Sequence, residues 1–330
     1  MTRVVYTLRG IDDSSSANTQ RPRNMELYAT GLNAWGQLSF DGNGTDQDPD
    51  DTSLFTCVLR DDDISGVTPF QSFTLVHTSS GTRKTGFIPR EEAALSALGS
   101  TAFPHLARAA NGILVVDDTH PALQAVSNLR STKLTQLFRT PPPIRQLVAY
   151  DTGFAALSPS GNVWTWGDER YGGCLGRDLS QSRAETPSIV TDLLYLPTGP
   201  ITKIAAGGYV LAALTAGHDL YVWGHAGRAT VAGLGGLELG DVPEPVVIED
   251  HDIADIAVGE AHVIALTTTG EVFVIGSNSN GQLGLGAEVS SADSWTKVSV
   301  DAVDSHNKEV VAVTAGPRNS FLVVRNKPDC

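Results

Sequence analysis

The sequence predicts an all-β protein, a closed β-propeller of six to seven blades in which the C-terminal and N-terminal strands share one blade. Three observations support this prediction. A repeat of constant length occurs along the chain, each copy contains strand-like apolar runs bounded by glycine turns, and the two chain ends carry complementary halves of one copy. Fixed-period repetition of short strands is typical of propellers.

The repeat is clearest in three stretches, residues 144–167, 201–224 and 253–276. Each begins with Ile, has Ile or Leu three positions later, continues through small residues to an Ala-rich segment and a turn glycine, and ends in an apolar run closed by glycine. Two apolar runs joined by a glycine turn indicate a hairpin. The runs are rich in β-branched and aromatic residues, which favours strands covered on both faces.

The chain ends complement each other. A second glycine follows the closing glycine after 5 positions. The pairs are Gly276 with Gly281, Gly167 with Gly172 and, near the N-terminus, Gly31 with Gly36. Residues 25–40 therefore read as the back half of a repeat, and residues 310–324 read as the missing front half. We expect the two halves to form one closing blade, which would leave no open edge between the first and last repeats.

We expect residues 1–330 to form a single propeller domain. Residues 144–300 hold three well-formed repeats, and residues 64–130 hold degenerate blades. Repeat starts at residues 64, 95, 144, 201, 253 and 310 count six units, and a seventh could lie within the degenerate region.

Two tracts, residues 274–284 and 28–38, carry a family resemblance. With their Gly-x-Asn-x-x-Gly-Gln-Leu pattern they resemble the regulator of chromosome condensation repeat. The resemblance implies a propeller that usually has seven blades, and it implies several possible functions. The founding member of the family is a nucleotide exchange factor for the GTPase Ran and binds nucleosomes through a basic tail. Other members are secretion-linked exchange factors and β-lactamase inhibitor proteins. A short cytosolic branch partners a small metal-binding protein in diphthamide synthesis and Elongator-dependent tRNA wobble-uridine modification.

Composition and net charge narrow the range of possible partners, cofactors and cellular locations. With 37 acidic and 23 basic residues, the net charge of -14 repels phosphate backbones and anionic lipids, so we expect no direct binding of nucleic acid or membrane. The 3 cysteines have neither disulfide-framework nor zinc-site spacing. The N-terminal residues lack the apolar run of a signal peptide. We therefore expect a cytoplasmic protein, with the nucleus as a second location, that is a monomer by itself and carries no cofactor or metal.

The candidate partner-binding residues lie in the turns that follow the closing glycines, because loops on a rigid scaffold concentrate recognition residues. Ordinary solvated turn residues are the alternative for each of them. His262 is expected to be structural, bonding to backbone between blades. The candidates are Trp35, Asp168, Glu169, Arg170, Tyr171, His225, Arg228, Asn278 and Asn280.

No nucleophile motif, paired carboxylate or metal-ligand pattern is visible, so no catalytic residue is predicted. The leading hypothesis is a non-catalytic scaffold for protein–protein interaction, with an accessory role in diphthamide synthesis and tRNA modification as its sharper form. The alternative is a guanine nucleotide exchange factor for a Ran-like small GTPase. The predicted partner is accordingly either a small metal-binding accessory protein or a small GTPase. A propeller enzyme is a third possibility, for which the sequence offers no site.

Overall fold

A computed structural model of the protein describes residues 25–40, 49–89, 106–109, 114–116, 144–231, 233–300 and 307–327. The structure is almost entirely β. In chain order its strands are β1 (Met25–Gly31), β2 (Thr52–Asp61), β3 (Ile64–Pro69), β4 (Phe73–Thr78), β5 (Gly81–Gly86), β6 (Leu106–Arg108), β7 (Leu114–Val116), β8 (Gln146–Tyr150), β9 (Gly153–Leu157), β10 (Val163–Gly167), β11 (Ser188–Ile189), β12 (Ile201–Gly207), β13 (Val210–Thr215), β14 (Leu220–Gly224), β15 (Glu244–Val246), β16 (Ile253–Val258), β17 (His262–Thr267), β18 (Val272–Ser277), β19 (Ser291–Val298), β20 (Lys308–Ala315) and β21 (Asn319–Asn326).

Helical structure in the described residues is limited to short segments. The α-helix α1 (Ala226–Val231) follows β14, and 3₁₀ turns occupy Glu169–Leu175 and Thr191–Leu193. No helix in the described part of the chain is long and apolar enough to cross a membrane.

The strands form five antiparallel blades. Blade 1 has the order β20-β21-β1-β2, blade 2 has β3-β4-β5, blade 3 has β8-β9-β10-β11, blade 4 has β12-β13-β14-β15 and blade 5 has β16-β17-β18-β19, written from the inner to the outer strand. Strands β6 and β7 form a separate two-stranded pair. Neighbouring blades pack through their inner strands, from blade 2 through blades 1, 5, 4 and 3 to the β6–β7 pair.

The two ends of the chain pair directly. Strand β1 lies antiparallel to β21, with Met25 opposite Arg325 and Gly31 opposite Asn319. The expectation that N-terminal and C-terminal strands share one blade is therefore confirmed. Because β21 also pairs with β20, the C-terminal hairpin supplies the two inner strands of blade 1.

The expected closed ring of six to seven blades is wrong. The described residues contain five blades, and no sheet among them closes on itself. The predicted repeat start at residue 95 and much of the predicted degenerate region lie outside the described residues. What is described there is the β6–β7 pair, and two strands of three residues are too few to bury the face of a blade.

The core lies between blades. Leu27, Val76 and Phe321 belong to one apolar cluster that joins blades 1 and 2. A second cluster joins blades 3 and 4, and a third joins blades 4, 5 and 1. Strands of the blade interior are buried along their whole length, as in β13 and β17. This explains their continuous apolar sequences, because each face packs on a neighbouring blade.

A recurrent β-bulge shapes the inner strands. The register of the inner strand shifts between its first and third residues in blades 4, 5 and 2, for example between Ile253 and Asp255, and between Val310 and Ala312 in blade 1. In blades 3, 4 and 5 the residue two positions after the Ile that opens the repeat reaches the next blade. Gln146 bonds through Nε2 and Oε1 to the backbone O and N of Ile204, and Lys203 donates to Asp255. Asp255 Oδ2 in turn accepts from Val313 N at 3.0 Å.

Candidate functional site

All nine predicted partner-binding residues lie on one rim of the propeller. The third strand of each blade ends beside the turn that joins its first two strands, since Gly167 pairs with Gly153 and Gly276 pairs with His262. We call this end the upper rim. Each predicted residue lies in a loop that follows β1, β10, β14 or β18, and these four strands end at the upper rim.

The upper rim brings five of these residues together with one that sequence reasoning missed. Tyr171, in the 3₁₀ turn after β10, has its ring centroid 5.2 Å from that of Tyr209 and 5.5 Å from that of His225, the latter edge-on. We call the set Asp168, Arg170, Tyr171, Tyr209, His225 and Arg228 the Tyr171 patch. It spans blades 3 and 4, so two repeats build it jointly.

Tyr209 could have been found from the sequence. It lies in the turn between β12 and β13, and its carbonyl accepts from His225 N at 3.0 Å. A search confined to the loops after closing glycines leaves out this turn, although both turns reach the same rim. The feature of the sequence that indicates Tyr209 as a site residue is an aromatic side chain at a turn position.

Two arginines lie beside the Tyr171 ring, and they differ in pairing. The Cζ atom of Arg228 lies 5.7 Å from the ring centroid of Tyr171 and 6.0 Å from that of Tyr209, distances at which cation–π attraction operates. Among the described residues no carboxylate lies within ion-pair distance of Arg228. Arg228 is exposed, and no hydrogen bond within the described part of the chain engages its guanidinium.

Arg170 is held by Asp168. Its Nε lies 3.0 Å from Asp168 Oδ1 and its Nη2 lies 2.6 Å from Oδ2, and Asp168 Oδ1 also accepts from Arg170 N at 3.0 Å. The bonds from Arg170 lower the pKa of Asp168 and raise that of Arg170. Burial, with the nearby Asp151 carboxylate, raises the pKa of Tyr209, so its hydroxyl stays protonated.

Three of the other four predicted residues, Asn278, Asn280 and Trp35, occupy a different sector of the rim. Asn278 is buried and holds its own loop, since Nδ2 donates to the carbonyls of Gly286 and Val289 and Oδ1 accepts from Leu283 N. Asn280 Nδ2 donates to Asp51 Oδ2 at 2.8 Å. Trp35 is 43% exposed. Glu169 is exposed beside the Tyr171 patch.

The same loop is built twice. Asn33 Oδ1 accepts from Leu38 N at 2.8 Å, as Asn278 Oδ1 does from Leu283 N. Gln37 Oε1 accepts from Trp35 N and Gln282 Oε1 from Asn280 N. The shared Gly-x-Asn-x-x-Gly-Gln-Leu spacing thus encodes loop geometry through its Asn and Gln side chains.

His262 connects two blades. It is fully buried, and its Nε2 lies 2.9 Å from Ser320 Oγ in blade 1. Ser320 Oγ donates to Gln282 O, so His262 Nε2 must donate to Ser320. The expected link between blades is present and includes the Ser320 hydroxyl. Burial lowers the pKa of His262 to about 4, which keeps the ring neutral.

The opposite rim carries a cavity of about 410 Å³, lined in part by Gly161, Leu193, Tyr195 and Pro200. Tyr195 is 99% exposed and has a φ of 58°. The structure shows no cluster of three or more His, Cys, Asp or Glu side chains suited to a metal ion in the residues that it describes.

Comparison with known proteins relates this architecture to a family of sequence repeats and to solved structures. Residues 253–282 and 269–323 match two models of the regulator of chromosome condensation (RCC1) repeat. No curated protein sequence matches the chain. The chain is similar to yeast RCC1 (Prp20) in its structure bound to Kap60, with 14% identity over 98% of this chain and 97% of that chain and a TM-score of 0.57.

A second structure, Prp20p from Saccharomyces cerevisiae, was described with its binding properties to Gsp1p and histones. It shows 14% identity over 93% of this chain and 93% of that chain, with a TM-score of 0.54. Because the identity to both structures is only 14%, the two matches establish the fold alone. Residues 253–323 therefore carry RCC1 repeats, and the chain as a whole shares the β-propeller fold of Prp20p.

Proposed function

We propose that the protein is a non-catalytic binding module that holds a partner protein on the Tyr171 patch. The observation that carries this proposal is Arg228, an exposed guanidinium over two tyrosine rings with no carboxylate partner among the described residues. Tyrosine and arginine are enriched among residues that dominate binding energy. The patch suits a partner surface that offers a carboxylate beside an apolar side chain.

The test compares captured proteins across variants. Affinity purification with quantitative mass spectrometry is done with the natural chain and with Arg228→Glu and Tyr171→Ala. We expect both variants to lose the same partner by tenfold or more. Arg183→Glu is the control, because Arg183 is exposed on the same side and pairs only weakly with Glu185 at 3.5 Å. A partner retained by both patch variants would contradict the proposal.

Guanine nucleotide exchange on a Ran-like small GTPase is the second candidate. It is supported by the fold shared with Prp20p, whose binding to Gsp1p was described with its structure. Release of fluorescent GDP from a Ran-like GTPase is followed by stopped flow with micromolar protein. Acceleration that Arg228→Glu abolishes would favour exchange at the patch, and an unchanged release rate would exclude it.

The finer form of the binding proposal is an accessory role in diphthamide synthesis and tRNA wobble-uridine modification, beside a small metal-binding protein in the cytoplasm. Acidity and size support it. Deletion of the gene in its host, followed by measurement of diphthamide on elongation factor 2 and of modified wobble uridine, tests it. Normal levels of both modifications would contradict this form and leave the binding module itself untouched.

A further inference from the structure

Within the described residues, blade 2 has one strand fewer than the other blades. In blades 1, 3, 4 and 5 the third strand pairs with a fourth antiparallel strand, as β1 does with β2 and β18 with β19. In the described residues, blade 2 stops at its third strand, β5. Its edge therefore lies where four sister blades carry a strand.

The backbone of β5 is ready for pairing. Phe87 N donates to Ser72 O at 2.8 Å, which sets the alternation of bonded pairs between β4 and β5. Gly81, Arg83 and Thr85 accordingly point their backbone groups to β4, and Thr82, Lys84 and Gly86 point theirs outward. No hydrogen bond within the described residues engages these outward groups.

At one end of the β5 edge, a threonine makes the same kind of hydrogen bonds as in the four-stranded blade 1. In blade 1, Thr30 Oγ1 donates to Thr52 O, at the start of the fourth strand, and to Gly281 O in the loop of blade 5. In blade 2, Thr85 Oγ1 donates to Gly36 O, the counterpart of Gly281, and to Ser39 O. The carbonyl of Ser39, from the loop after β1, thus occupies the place of the fourth strand's first carbonyl, and no strand of the described part of the chain pairs with the edge beyond it.

The charge of the edge indicates what it accepts. Arg83 and Lys84 are both exposed, and their one ion pair among the described residues is a 3.8 Å contact of Arg83 with Asp61. Two adjacent cations oppose pairing with a second copy, since like charges would face each other. They favour an acidic strand, because cross-strand pairs of opposite charge are stabilising.

We propose that the β5 edge binds an extended acidic segment of a partner protein as a fourth antiparallel strand of blade 2. Backbone bonds to Thr82 and Lys84 would supply affinity, and Arg83 and Lys84 would select for acidic side chains. This surface is separate from the Tyr171 patch and does not depend on its function.

The probe is a fluorescein-labelled ten-residue peptide of alternating Glu and Val, measured by anisotropy against the full chain. Its reference is the same design with Lys in place of Glu. We expect the Glu peptide to bind at least tenfold more tightly, and the double variant Arg83→Glu with Lys84→Glu to reverse that order. Equal binding of both peptides, or binding that the double variant leaves unchanged, would overturn the proposal.

Thr82→Pro separates backbone pairing from charge. Proline removes the outward N–H of residue 82, keeps both cations and is tolerated at a strand edge. Thr82→Ala is the matched control, because both variants lose the bond of Thr82 Oγ1 with His77 Nδ1. We expect proline to weaken binding of the Glu peptide about tenfold relative to alanine. Equal affinities would show that no added strand forms.

Hydrogen exchange supplies an independent readout. In the free chain the amides of Thr82 and Lys84 should exchange faster than those of Arg83 and Thr85, and the Glu peptide should slow them. Protection of Thr82 and Lys84 without peptide would mean that the edge is already covered, and the proposal would fail.

Discussion

At the scale of single residues, one buried polar side chain holds together a whole loop. Arg177 is 8% exposed, yet its guanidinium has no carboxylate partner among the described residues. It donates to the carbonyls of Thr165, Ser182, Arg183, Ala184 and Thr186. Burial lowers its pKa from a very high value, so it remains a cation. Arg177 therefore organises the loop between β10 and β11.

Replacing Arg177 tests that role. Arg177→Met should lower the free energy of unfolding by about 2–4 kcal/mol, because it leaves several buried carbonyls without donors. Urea denaturation followed by tryptophan fluorescence measures the loss. Arg183→Met is the control and should change stability by less than about 0.5 kcal/mol, since that side chain is exposed. Equal losses would contradict the assigned role.

His262 makes stability depend on pH. Its pKa is about 4 in the folded chain and about 6.5 in the unfolded chain. The unfolded state therefore binds the proton first as pH falls. Its stabilising contribution is complete above pH 6.5 and is lost as pH falls to about 4, by up to about 3 kcal/mol.

Urea midpoints measured between pH 7 and pH 4 check this expectation. His262→Gln should flatten the upper part of that dependence. Carboxylates with lowered pKa values, such as Asp168 and Glu271, act only below about pH 4.5, so the two ranges can be separated. An unchanged slope between pH 6.5 and 5 in the variant would contradict the assignment to His262.

At the scale of strands, the residue two positions after the Ile that opens a repeat makes contacts between blades in three of the repeats. Asp255 shows the consequence most clearly. It accepts from Lys203 in blade 4, from Val313 N in blade 1 and from its own neighbour Ile256 N. One carboxylate thereby joins three blades.

Substitutions of Asp255 and of Lys203 should lower the free energy of unfolding by different amounts. Asp255→Ala is expected to lower the free energy of unfolding by about 2–4 kcal/mol, because it removes the carboxylate from the largely buried ammonium of Lys203 and from the backbone N–H of Val313. Lys203→Met should cost less, about 1 kcal/mol, since Asp255 keeps two backbone donors. Chemical denaturation of both variants decides the order. A larger loss for Lys203→Met would contradict this account.

Closing glycines show why the spacing is strict. Gly31 and Gly276 have φ values of 110° and 116°. A Cβ at Gly31 would lie 2.4 Å from Arg318 O, and one at Gly276 would lie 2.4 Å from Ala261 O. Only glycine meets both demands, so the third strand can end only at that position.

At the scale of the whole molecule, blade 1 unites the chain ends. Strand β21 lies between β1 and β20 and carries buried Phe321, Leu322, Val323 and Val324. Removing it would expose two strand edges and the apolar contacts that join blade 1 to blades 2 and 5.

Truncation after Arg318 tests this dependence. We expect the shortened chain to lose its cooperative thermal transition in circular dichroism, whereas truncation after Lys327 should keep it. The apolar surface that β21 buries is the reason for the difference. A cooperative transition in the shorter chain would show that the other blades fold without blade 1.

Much of the fold follows from the sequence because its signals are local. A hairpin needs two apolar runs and a glycine turn, and all these parts lie within one repeat, as in residues 253–276. The pairing of β1 with β21 was predictable as well, since each chain end carries half of a repeat.

Contacts between repeats were decided by the tertiary structure. Tyr171 meets Tyr209 and Arg228 only because blades 3 and 4 pack side by side, and no spacing within one repeat encodes that distance. The predicted number of blades was wrong for the same reason, since a degenerate repeat can be recognised only from the pairing of its strands. The open edge of β5 likewise appears only when five blades are compared in space. Local backbone preferences are written within a repeat, whereas packing between repeats depends on residues far apart in the chain.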